Sequence, residues 1–197
     1  MRVNLQETLR SHIIWRGQES SLNKKKLTTG LPALDAILPD DGWPLGALTE
    51  IFIPQAGIGE LQFLLPALSP LSQNKYVACI NPPYPPYAPA LAASGFKLSH
   101  LLLIRPPARH LLWTAEQVLR SGACAAALAW LEEIDFRASR RLQLAAETGL
   151  GSGFVFLEKL HPQPSAAALR LSVSKQGGQT SVHILKGRNA RGLSAVV

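Results

Sequence analysis

From residue 47 onward, short apolar runs alternate with segments of helical pattern, and this alternation constrains the fold more than any other feature. Residues 47–53, 76–80, 100–104 and 124–131 read as buried strands. Residues 59–71, 88–94, 113–122 and 137–148 between and after them suit helices. Three further strands, 154–157, 168–174 and 180–185, complete the run. The last two alternate more strongly and lie close in sequence, as an antiparallel edge does. The expected fold is therefore α/β, a mainly parallel sheet flanked by helices with an antiparallel C-terminal edge. Ahead of it, Thr28 and Pro32 suit the start of a short helix that stops before Pro39.

A chain of 197 residues accommodates one such domain with small appendages. Hydrophobic residues make up 47% and charged residues 17%, which excludes disorder across the whole chain. The organisation reads as an N-terminal helix and basic linker over 1–26, a core over 27–185 and a flexible basic tail over 186–197. Leu5, Leu9 and Ile13 fall on one face of the first segment, the spacing of a short amphipathic helix. No apolar stretch approaches the roughly 20 residues of a membrane span, and the first residues lack a signal core. Cys79 and Cys124 lie in apolar runs and read as buried reduced thiols, so a cytoplasmic location is expected.

Charge is segregated. Residues 1–30 carry six Lys or Arg against two Glu, and residues 159–197 carry six with no acid at all. The segment between is slightly acidic, within a chain of net charge +7. Ends of this kind suit an acidic protein surface or a phosphate backbone.

The stretch Leu27-Thr-Thr-Gly-Leu-Pro-Ala-Leu-Asp-Ala, followed by Gly42-Trp-Pro-Leu-Gly-Ala-Leu-Thr-Glu-Ile, resembles the opening of the RecA core. Gly42-Trp-Pro-Leu-Gly, Gly57-Ile-Gly-Glu-Leu and Arg140-Arg-Leu-Gln-Leu-Ala-Ala-Glu are similar to the ImuA family, and the likeness runs from about Trp15 to Gly192. That family consists of RecA-like accessory proteins of SOS mutagenesis, encoded with ImuB and an error-prone polymerase. The resemblance implies a RecA-like core and a role in DNA-damage tolerance. It also implies an ImuB-type, polymerase-like partner, with RecA itself a further candidate. A SulA-like inhibitor of the division protein FtsZ is the alternative, because SulA shares a degenerate RecA-like core.

A working phosphate loop needs glycine amides around the phosphates, a Lys for their charge and a Ser or Thr for Mg²⁺. The matching stretch here contains Gly57, Gly59 and Glu60, with Gly59 or Glu60 at the Lys position according to a one-residue gap. No Lys occurs between Lys26 and Lys75. A carboxylate aimed at a triphosphate would repel it. Trp130 stands where a metal-organising Asp is expected, and Pro83 about where the water-activating acid belongs. Phosphoryl transfer rests on positioned charge, so no catalytic residue, cofactor or metal is expected. Five scattered histidines, His12, His100, His110, His161 and His183, have no metal-ligand spacing.

Binding then becomes the expected activity. The Leu5, Leu9 and Ile13 face and the basic residues Arg170, Lys175, Lys186, Arg188 and Arg191 are the candidate partner contacts. Tyr84-Pro-Pro-Tyr-Ala-Pro is stiff and presents two aromatics, either as a docking loop or as a cover over the nucleotide cleft. Glu132, Glu133 and Asp135 read as a solvated acidic loop or a docking patch for a basic partner, ahead of a ligand-binding carboxylate cluster at a strand end. The expectation is a non-catalytic cytoplasmic adaptor, nucleoid-associated when engaged, with self-association and direct DNA contact left open.

Overall fold

A computed structural model describes residues 26–57, 59–160, 164–176 and 178–197. The expected N-terminal helix, with Leu5, Leu9 and Ile13, lies outside the described residues. A two-stranded ladder, β1 (Lys26–Leu27) with β2 (Trp43–Pro44), brackets a short helix α1 (Pro32–Asp35). No side chain caps the start of α1. Thr28 Oγ1 and the Thr29 N–H instead donate to the Asp35 carboxylate, each at 2.8 Å, closing the turn around it.

Among the described residues, eight strands form the main sheet: β3 (Leu48–Phe52), β4 (Tyr76–Ile80), β5 (Leu101–Ile104), β6 (Cys124–Leu131), β7 (Ser152–Leu157), β8 (Leu169–Gln176), β9 (Gln179–Lys186) and β10 (Ser194–Val196). Their spatial order is β5-β4-β6-β7-β3-β8-β9-β10. The pairings from β5 through β8 are parallel, and β8-β9 and β9-β10 are antiparallel. This is the mainly parallel α/β sheet with an antiparallel C-terminal edge that the alternation anticipates.

The helices α2 (Leu65–Ser72), α3 (Ala88–Ala93), α4 (Leu111–Arg120) and α5 (Phe136–Gly149) supply the covering layers. Continuous apolar strands feed two cores, one on each face. One joins Leu34, Trp43, Ile51, Phe63, Leu68 and Phe154, and the other joins Leu48, Ile80, Ala115, Leu128's neighbour Ala129, Leu142 and Ala146. Gly149 lets α5 approach α4, since a Cβ there would stand 1.9 Å from the Leu119 carbonyl oxygen. Arg141 of α5 and Arg120 of α4 both ion-pair with Glu116, which is nearly buried between these helices. Cys79 and Cys124 are free and buried, and burial pushes the Cys79 thiol up to about 12.

Two segments differ from expectation. The helix expected over 59–71 begins only at Leu65, and residues 59–64 form successive turns. Gly59 at φ +88° turns the chain away from helical geometry, and Pro66 is accepted in the first turn. The segment expected as a flexible tail instead carries β10, whose Ser194, Ala195 and Val196 lie opposite His183, Val182 and Ser181 of β9. The boundary expected at 185 thus falls inside the sheet. Backbone hydrogen bonds from β9 to this short segment satisfy an otherwise open edge.

Candidate functional site

The phosphate-loop position follows β3, where the chain passes from the sheet towards α2. Gly57 and Gly59 both adopt positive φ, +84° and +88°, so the loop keeps a glycine-dependent bend. Glu60 occupies it. The Gly57 N–H donates to Glu60 Oε1 at 3.2 Å and Oε2 at 3.1 Å, and Trp130 Nε1 donates to Oε1 at 3.1 Å. Glu60 is only 5% exposed. The carboxylate expected to point at an incoming triphosphate is therefore folded back and bound by the loop's own amide.

The other substitutions complete the closure. Trp130, the penultimate residue of β6, stacks on Phe156 of β7, with ring centroids 4.7 Å apart. Asn81, at φ +55° after β4, donates from Nδ2 to the Trp130 carbonyl at 3.4 Å. A Cβ on Gly57 would meet the Tyr84 ring at 2.8 Å, so Tyr84 lies against the loop while remaining 66% exposed. The proline-rich segment, expected as a docking loop or a cover, thus touches this loop through Tyr84 and leaves Tyr87 exposed. Pro83 lines the adjoining groove.

A second polar assembly sits behind the loop. Glu50, 1% exposed in β3, accepts from Ser139 Oγ at 2.8 Å and Ser165 Oγ at 2.5 Å, and pairs with Arg170 Nε at 2.8 Å. The Arg170 guanidinium also lies 5.0 Å from the Phe52 ring centroid. A buried carboxylate requires such partners, so an acid in the middle of an apolar strand was the signal for this cluster. Sequence reasoning missed it.

The basic partner candidates separate accordingly. Arg170 is tied into the sheet by Glu50 and is only 14% exposed. Lys186 Nζ donates to the Ser165 and Ala167 carbonyls, both at 2.7 Å, and burial lowers its pKa. Arg188 forms a two-pronged pair with Asp40 at 2.8 and 3.1 Å. Lys175 and Arg191 remain exposed, with Lys175 Nζ 3.5 Å from where a Gly59 Cβ would stand. The basic stretch is thus partly structural, because strand pairing brings its cations to internal acceptors.

Beside the closed loop, a groove of about 1000 Å³ crosses the carboxyl ends of the parallel strands, lined among others by Asn81, Arg105, Leu131 and Glu158. Glu132 and Glu133 stand exposed in its lining. No group of three or more metal-ligating side chains occurs among the described residues, and no described helix is long and apolar enough to cross a membrane.

Fold and site together define an α/β domain with a mainly parallel sheet, in which the loop after β3 is filled by its own Glu60 carboxylate. By sequence, the chain is similar to proteins named ImuA. It is 31% identical over 145 residues to the ImuA proteins of two Caulobacter vibrioides strains, NA1000 / CB15N and ATCC 19089 / CIP 103742 / CB 15. The alignment covers 70% of this chain and 58% of each relative, so the chain spans less than two thirds of their length. No family model matches. Among solved structures, SulA from Pseudomonas aeruginosa aligns at 24% identity with a TM-score of 0.45, over 55% of this chain and 97% of that one.

Proposed function

We propose that this chain is a non-catalytic adaptor in SOS-induced translesion DNA synthesis, binding an ImuB-type, polymerase-like partner. The observation that carries the reading is Glu60, held by Gly57 and Trp130 inside the phosphate loop. A nucleotide would have to expel this carboxylate, then bind without a loop Lys, a magnesium-holding hydroxyl or either catalytic acid. The homology to ImuA supports the biological setting. Exposed Lys175 and Arg191, with the Leu5, Leu9 and Ile13 face, are the partner contacts in this reading.

The test is complex formation between the full chain and a co-expressed ImuB-type protein, in nuclease-treated samples with and without Mg-ATP. A stoichiometric complex indifferent to nucleotide is expected. Joint replacement Lys175→Gln and Arg191→Gln should slow association and flatten its salt dependence, because exposed charges act mainly on encounter. A complex that forms only with ATP, or no complex, contradicts the reading.

A further inference from the structure

We propose that the groove across the carboxyl ends of the parallel strands seats an extended, Lys- and Arg-bearing segment of the protein partner. This rests on the adaptor reading above and names the chemistry of the segment the adaptor holds. The groove's volume of about 1000 Å³ accommodates several side chains. Pro82, Pro83 and Pro106 stiffen its walls, so little ordering entropy is spent on closure around a guest. Leu111, Leu112 and the stacked Trp130 and Phe156 supply apolar lining.

Charge selects the occupant. Among the described residues, four acids, Glu132, Glu133, Asp135 and Glu158, line the groove against two bases, Arg105 and Lys159, although the whole chain carries +7. Two of the acids are committed: Asp135 caps α5 through the Ala138 N–H, and Glu158 accepts from the Ala56 N–H. Glu132 and Glu133 are exposed, and no hydrogen bond or ion pair joins either to another described residue. A phosphate-bearing ligand meets repulsion here, whereas a cationic side chain gains two uncommitted carboxylates. Lys and Arg also bring aliphatic stems that can cover Leu111 and Leu112 while their heads reach the acids. Segments of alternating basic and apolar residues therefore fit both parts of the groove.

The experiment uses the full chain, a charge-reversed variant Glu132→Lys with Glu133→Lys, and fluorescent peptides tiled across the ImuB-type partner. Both replacements are at exposed positions, so melting should be unchanged. The peptides captured by the parent should be rich in Lys and Arg, and their affinity should fall about tenfold or more in the variant. The less drastic pair Glu132→Gln with Glu133→Gln should fall between the two. Carbodiimide coupling should join Glu132 or Glu133 to partner lysines. Captured peptides without basic residues, or equal affinity for parent and variant, overturn the proposal while leaving the adaptor reading intact. Coupling to Lys24 or Lys25 of this chain, or a self-associated species that the variant dissolves, gives the groove another occupant and overturns it as well. Failure of the intact partner to bind the parent chain removes the adaptor reading, and this inference falls with it.

Discussion

At the scale of single residues, Glu60 and its two donors make the sharpest prediction. Truncation by Glu60→Ala leaves the Gly57 N–H and the Trp130 indole N–H without their acceptor. Gly57 is exposed and can turn to water, but the buried Trp130 donor left unpaired costs about 1–3 kcal/mol, so urea denaturation should shift to a lower midpoint with unchanged slope. Glu60→Gln keeps an acceptor oxygen and should lose less. Parent-like stability of Glu60→Ala would show that the carboxylate does not sit in the loop. The replacement of a phosphate-binding Lys by an acid was legible in the chain itself. Its inward seat was not, because the Trp130 donor lies 70 residues away and only the β6–β7 layer brings it to the loop. The same limit hid the Glu50 cluster, whose partners Ser139, Ser165 and Arg170 come from α5, the loop before β8 and β8 itself. It also made Arg170, Lys186 and Arg188 read as free surface cations, when each has an internal or local acceptor.

At the scale of elements, β4 and β6 coincide with their expected apolar runs, because a strand buried on both faces declares itself by composition. The late start of α2 and the addition of β10 were not legible. The first depends on how Gly59 bends the loop, and the second on three residues finding β9 as a neighbour. The end of α5 carries a local conflict that a substitution can relieve. Leu150 closes the helix in the left-handed conformation, φ +57°, with a side chain 75% exposed. A leucine gives up about 1–2 kcal/mol in that conformation, which glycine does not. Leu150→Gly should therefore stabilise the protein by about 1 kcal/mol, read as a higher thermal midpoint. A fall in the midpoint would mean that the leucine side chain contributes packing beyond its exposed position.

At the scale of the whole molecule, the mainly parallel sheet does two separable things. It joins the residues that close the phosphate loop, and it opens a groove with exposed acids across its carboxyl ends. In the proposed reading these ends act as a rigid platform for a partner. The central claim is that the loop is occupied from within, and isothermal titration of the full chain with Mg-ATP tests it most directly. No saturable heat up to millimolar nucleotide is the predicted result, for the parent and for Glu60→Lys alike, since Trp130 and Pro83 still leave the metal and the water without their acids. Saturable binding of Mg-ATP by the parent chain in the micromolar range would contradict the account.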